Sequence, residues 1–179
     1  VPKTHGPDET AEHVKFAAFT ENAVGFKPGT ILLQLMVEEQ RTSVNLDQCV
    51  EAGQDRIYAV NTGFLDFTGD NIRTIMYRGP VPPEAEIRAS QWLKDYEANT
   101  TNIAIERGVP MNGKGMWTDI RRMRELYREK RNQILQGATS GWVPNPIAAV
   151  LYSLQFMEHD ALAVQQELAG REPVSLEAL

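Results

Sequence analysis

The chain of 179 residues has a single cysteine, Cys49, which excludes an intrachain disulfide framework and agrees with a reducing compartment. Its histidines are His5, His13 and His159, with no close metal-ligand spacing among them, and Cys49 has no partner for a thiolate site. We read no run of 18 uncharged apolar residues and no secretory leader, so a cytoplasmic protein without a membrane span is expected. A basic excess is also missing. The net charge of −6 removes the global footprint of a nucleic-acid binder. NGKGMW, residues 112–117, contains glycines and Lys114 but not a complete phosphate-loop motif. It reads either as the border of a phosphate-bearing cofactor or as a loop with Trp117 packed inward.

What is present suits one folded domain: 42% hydrophobic and 23% charged residues, with no internal repeat or low-complexity linker. The first residue is Val1, in the middle of what reads as a strand end or loop, and AGREPVSLEAL stops soon after a helix. An excerpt of a larger protein is therefore the expectation. DETAEHVKFAAFTENAVG reads as a helix with Asp8 as cap and Gly25 as stop. Strands are expected over Ile31–Met36 and Ile57–Val60, with a short helix over Asn45–Gly53 between them. Pro80, Pro82 and Pro83 break the chain before a helix around Ile87–Ala98.

TDIRRMRELYREKRNQILQG places Ile120, Met123, Leu126, Tyr127 and Ile134 at helical spacing and its basic residues elsewhere, on a solvated face. Thr118 is its candidate cap and Gly137 its end. GWVPNP then turns into a last helix, with Asn145 as cap, Pro146 as first residue and Ile147, Val150, Leu151 and Leu154 as buried stripe. Four strands and five helices make about half of an eightfold barrel, or most of a small doubly wound α/β domain.

Two apolar runs end in acid: ILLQLMV stops at Glu38, and the run opening RIYAV leads through NTGFL to Asp66, 28 positions later. With a helix between parallel strands, both carboxylates would lie at the carboxyl edge of the sheet, where α/β folds place their chemistry. Oxygen ligands from separate strands suit Mg²⁺ better than Zn²⁺. Side chains alternate along a strand, so Glu39 should point away from Glu38. An ion pair of Glu38 with Arg41 or Arg56 is the alternative, as is Asp66 capping the following turn. Asp70 reads equally as a cap or a surface group. Gly63 would let a ligand approach the backbone. Trp142, before Pro144, reads as a pocket wall or as core.

The strings VPKTHGPDE (1–9), EEQRTSVNL (38–46), NTGFLDFTGD (61–70), GKGMW (113–117), GWVPNP (141–146) and AVQQELAG (163–170) together resemble the central part of malate synthase G, in family order and across essentially the whole chain. The resemblance implies an α/β fold, a partial TIM (β/α)8 barrel, with residues 1–179 a segment of the catalytic barrel domain. It implies condensation of glyoxylate with acetyl-CoA and hydrolysis of the malyl-CoA formed. Glu38 and Asp66 take the places of the magnesium ligands, at the family's own spacing. Gly63, Phe64 and Leu65 fall on the backbone around glyoxylate. Trp142 and Pro144 fall on the pocket near glyoxylate and acetyl-CoA, and Met116 on the same wall.

The family's base follows this segment and its arginine precedes it, so the remainder of the barrel, in cis or from another chain, is an expected partner and the catalytic residues stay unassigned. Asp70 and Arg41 are the local substitutes if the chain acts alone. Gln40, Phe67 and Asn71 replace charged family residues, and LYSLQFME (151–158) lacks several family histidines. Those changes surround the ligands and so bear on metal tuning and specificity. The rivals are a related CoA-ester lyase and a non-catalytic interaction protein derived from the barrel. An open barrel should leave apolar helix faces exposed.

Overall fold

The computed structural model describes residues 3–63, 69, 72–73, 76, 79–80, 82–115, 122–141 and 145–179. Helix α1, Pro7–Val24, starts after Gly6, with Pro7 in the first turn. Asp8 is not the expected cap: it lies inside the first turn, where its charge suits the helix dipole. Glu9 instead reaches back to accept the His5 backbone N–H at 2.8 Å. Gly25 closes the helix at φ 76°, a left-handed conformation that favours glycine.

Strand β1 is Leu33–Val37, followed directly by α2, Gln40–Val44, and α3, Leu46–Gly53. Strand β2 is Ile57–Gly63. The helix expected around Ile87–Ala98 is two: α4, Glu84–Ala89, and α5, Gln91–Glu106. Ser90 separates them because its extended backbone and side-chain oxygen cap the second helix at Leu93 N–H. Strand β3, Met111–Gly115, precedes α6, Met123–Leu135, and the two-residue β4, Ser140–Gly141, precedes α7, Pro146–Glu158, and α8, Ala161–Leu168.

All strand pairs are parallel, and the sheet order β1-β2-β3-β4 follows the chain. Each crossover advances the sheet by one strand in the same direction. A doubly wound sheet requires a reversal of order, so the partial barrel is the correct alternative of the two. Leu35 and Val37 of β1 and Val60 of β2 pack with Leu46, Cys49 and Val50 of α3 and Leu93, Tyr96, Ile103 and Ala104 of α5. Burying these apolar groups fixes which face of each strand meets the helices.

Two helical faces differ from expectation. Lys130 of α6 is fully buried rather than part of the solvated basic face. Its ammonium bonds Gln133 Oε1 at 3.2 Å and lies 4.9 Å from the Tyr152 ring centre, which offsets some of the desolvation. Leu126 and Ile134 are buried as expected, Met123 is 57% exposed, and Thr118 and Ile120 lie outside the described residues. In α7, Asn145 and Pro146 open the helix as read, but Ile147 is 56%, Val150 61% and Leu154 42% exposed. The face turned inward carries Ala148, Tyr152 and Gln155. Both stripes have helical spacing, so periodicity alone did not choose between them. No helix among the described residues is long and apolar enough to cross a membrane.

Candidate functional site at the carboxyl edge of the sheet

Alternation along β1 sends Leu35 and Val37 into the helix-covered core and the intervening side chains to the opposite face. Glu38 follows Val37 on that opposite face and is 7% exposed. Glu39 diverges as expected, binding the N-terminal segment. Its carboxylate meets His5 Nε2 and lies 3.5 Å from Lys3 Nζ, while His5 Nδ1 contacts Glu9 at 3.1 Å.

The register pairs Val37 with Thr62 and Gly63 with Gly115, which brings Glu38 alongside Gly63. A Cβ at position 63 would stand 2.5 Å from Glu38 Cβ and 3.1 Å from Glu38 Oε2. One layer below, a Cβ at Gly113 would stand 2.2 Å from Asn61 Nδ2. Glycines therefore leave room on the inner face for the side chains of the neighbouring strand, and the Glu38 side chain occupies the space over Gly63. Asn61 Oδ1 is buried there without a hydrogen-bond partner among the described atoms.

Tyr96 of α5 closes the outer side of the same edge. Its hydroxyl donates to the Val37 carbonyl and accepts the Gly63 N–H at 3.0 Å, with Gly63 O a further 3.4 Å neighbour. Burial is the main reason its phenol is pushed well above the ordinary tyrosine range, with the charges of Glu97 and Glu38 adding to the rise. Sequence reading missed this residue. The available signal was a tyrosine within a helix, since a buried tyrosine hydroxyl normally finds a partner.

Arg56, an alternative partner for Glu38, is held elsewhere. It pairs with Glu21 at 2.6 and 2.8 Å and donates to Ile31 O, before β2 begins. That guanidinium holds the Glu21 carboxyl at about 2. Arg41 is exposed on α2. Lys114 does not face the open edge, so it does not border a phosphate there. It is fully buried behind the sheet and donates to Glu97 O at 2.7 Å and Thr101 Oγ1 at 3.1 Å. Desolvation lowers its pKa to about 8 against the opposing pull of Glu97. A cavity of about 410 Å³ lined by Arg88, Glu97, Glu129 and Gln133 lies among α4, α5 and α6, in the helical layer.

Of the residues read as site residues, Glu38 and Gly63 are brought together. Phe64, Leu65, Asp66, Asp70, Met116, Trp142 and Pro144 lie outside the described residues. Among the described residues no group of three His, Cys, Asp or Glu side chains is placed to hold a metal. Glu38, buried at this edge, offers the carboxylate oxygens that a hard cation takes.

The family model described as malate synthase, TIM barrel domain, matches residues 1–178. Malate synthase G of Corynebacterium efficiens is 40% identical over 175 residues, covering 95% of this chain and 23% of the relative. That of Halalkalibacterium halodurans is 37% identical over 171 residues, covering 94% of this chain and 24% of the relative. The chain thus spans about a quarter of the length of these curated relatives. Among solved structures, a citrate lyase from Burkholderia xenovorans superposes with a TM-score of 0.72 at 18% identity, covering 98% of this chain and 57% of that one. A Haloferax volcanii malate synthase pyruvate/acetyl-CoA ternary complex gives 0.70 at 16%, covering 96% and 46%. At these identities the two structures establish the fold alone.

Proposed function

The chain belongs to the malate synthase family, and on that premise we propose that it forms the metal- and glyoxylate-binding floor of a malate synthase barrel. The observation that carries the reading is Glu38, a buried carboxylate lying over Gly63 at the carboxyl edge of a parallel sheet. In this proposal Glu38 and Asp66 hold Mg²⁺, and the backbone of Gly63, Phe64 and Leu65 surrounds glyoxylate. Trp142, Pro144 and Met116 wall the pocket toward acetyl-CoA.

A cation held there would supply positive charge that polarises the aldehyde and offsets the negative charge growing on its oxygen. Glu38 and Asp66 would hold that cation. Gly63 keeps the space beside Glu38 free of a side chain. In the overall reaction the acetyl methyl group loses a proton to a base and its carbon bonds to the aldehyde carbon. Water then cleaves the thioester, giving malate and CoA. The reading leaves the base and the arginine that stabilises the enolate to residues outside 1–179, supplied by the remainder of the barrel.

The test measures CoA release from acetyl-CoA and glyoxylate with Mg²⁺, using residues 1–179 and the complete encoded protein in parallel. Activity is expected only in the latter and is abolished by Glu38→Gln or Asp66→Asn. Activity retained after both substitutions would reject the metal-ligand assignment.

A further inference from the structure

We propose that Tyr96 is a positioning residue for the metal floor, its hydroxyl tying the ends of β1 and β2 together so that Glu38 and the Gly63 backbone keep a fixed separation; this rests on the reading of Glu38 as a metal ligand. Tyr96 is fully buried and sits on α5, separated along the chain from the acid that it would position by α2, α3, β2 and α4. A single oxygen serves both strands. It donates to the carbonyl of Val37, the residue before Glu38, and accepts the N–H of Gly63, the last residue of β2.

Val37 and Gly63 are the last residues of β1 and β2, and the phenol bonds a backbone group of each. One oxygen bonded to both strand ends ties their spacing to the position of α5. The interval it controls has little slack. Glu38 Cβ already stands 2.5 Å from where a Cβ on residue 63 would be, so a small change in strand spacing moves the carboxylate relative to the Gly63 backbone.

Helix α5 is itself anchored at this level. Asn99, three residues along, donates to Ser43 O of α2 at 3.0 Å, and the Thr100 hydroxyl donates to Tyr96 O at 3.1 Å. Tyr96 belongs to the same buried apolar cluster as Leu35, Val37, Val60 and Leu93, so phenylalanine keeps the ring in the core while removing the bridging oxygen. Tyr96 touches neither the substrate nor the cation. It acts through Val37 and Gly63.

The experiment titrates the complete encoded protein with Mn²⁺, reading free ion by electron paramagnetic resonance, for the native protein, Tyr96→Phe and Glu38→Gln. Tyr96→Phe should weaken Mn²⁺ binding about tenfold or more, as loss of groups that orient metal ligands does, with an unchanged circular dichroism spectrum. Glu38→Gln should abolish it. Binding lost in Glu38→Gln but native in Tyr96→Phe overturns the positioning role and leaves the metal reading intact. Native binding in Glu38→Gln overturns both. If Tyr96→Phe does not fold, hydrogen exchange at the Gly63 amide of the native protein decides the matter. Protection that increases when Mg²⁺ is added supports the bridge, and exchange at the rate of an open loop refutes it.

Discussion

Alanine at position 63 would put a methyl carbon 2.5 Å from Glu38 Cβ and 3.4 Å from Glu38 Cα. Carbon atoms in contact prefer about 3.5–4.0 Å, so the Cβ pair is short by about 1 Å or more. Neither carbon moves with a rotamer, since both are attached directly to backbone, and relief requires β1 and β2 to shift. Gly63 is not among the glycines with positive φ, so backbone strain contributes nothing. The unfolded chain gains about 0.4–1 kcal/mol in favour of alanine, against about 1–3 kcal/mol for overpacking. The net expectation is about 1–2 kcal/mol of destabilisation, or about 2–8 °C in Tm for a chain of this size.

Urea denaturation measures the effect, and a double-mutant cycle with Glu38→Gly isolates its cause. Removing the partner Cβ should remove most of the cost of Gly63→Ala. A coupling below about 0.5 kcal/mol, the range of independent sites, would refute the steric argument.

Two further predictions concern pH. Burial holds Lys130 at about 8 against an ordinary 10.5, so the folded chain sheds a proton that the unfolded chain still binds between those values. Stability should therefore rise with pH across that window, and Lys130→Met should flatten the slope of urea midpoints, with identical slopes counting against the burial argument. Glu21 behaves oppositely. Its pairing with Arg56 holds it at about 2 in the folded state, below an ordinary 4.5, so its contribution is complete above 4.5 and disappears as pH falls toward 2. Glu21→Gln should lower stability at neutral pH and flatten the acid limb of the same measurement; an unaltered acid limb would show that the pair does not set it.

Strands β1 and β2 were legible because apolar runs with β-branched residues bear a local signature. Strand β3 was not, since Asn112, Gly113, Lys114 and Gly115 carry the composition of a loop. Gly113 is explained by a neighbour on another strand, since a side chain there would meet Asn61. Lys130 read as a surface base because charge predicts exposure, but the Tyr152 ring, Gln133 and the charges of Glu97 and Glu129 accompany it in its buried position. The α7 stripe was misplaced for a related reason. Amphipathic spacing identifies a helix but not which of two faces its neighbours cover.

By itself the sequence determined that an apolar strand ends in acid at Glu38, that a second strand leads to Gly63, and that their spacing admits a helical crossover. Those properties follow from neighbouring residues and local periodicity. Tertiary structure decided that the strands add in chain order, that Glu38 lies over Gly63, and that Tyr96 joins their ends. The last contact spans 59 residues to Val37 and 33 to Gly63. No local pattern encodes such a meeting, because it depends on how the sheet register and helix packing are satisfied together.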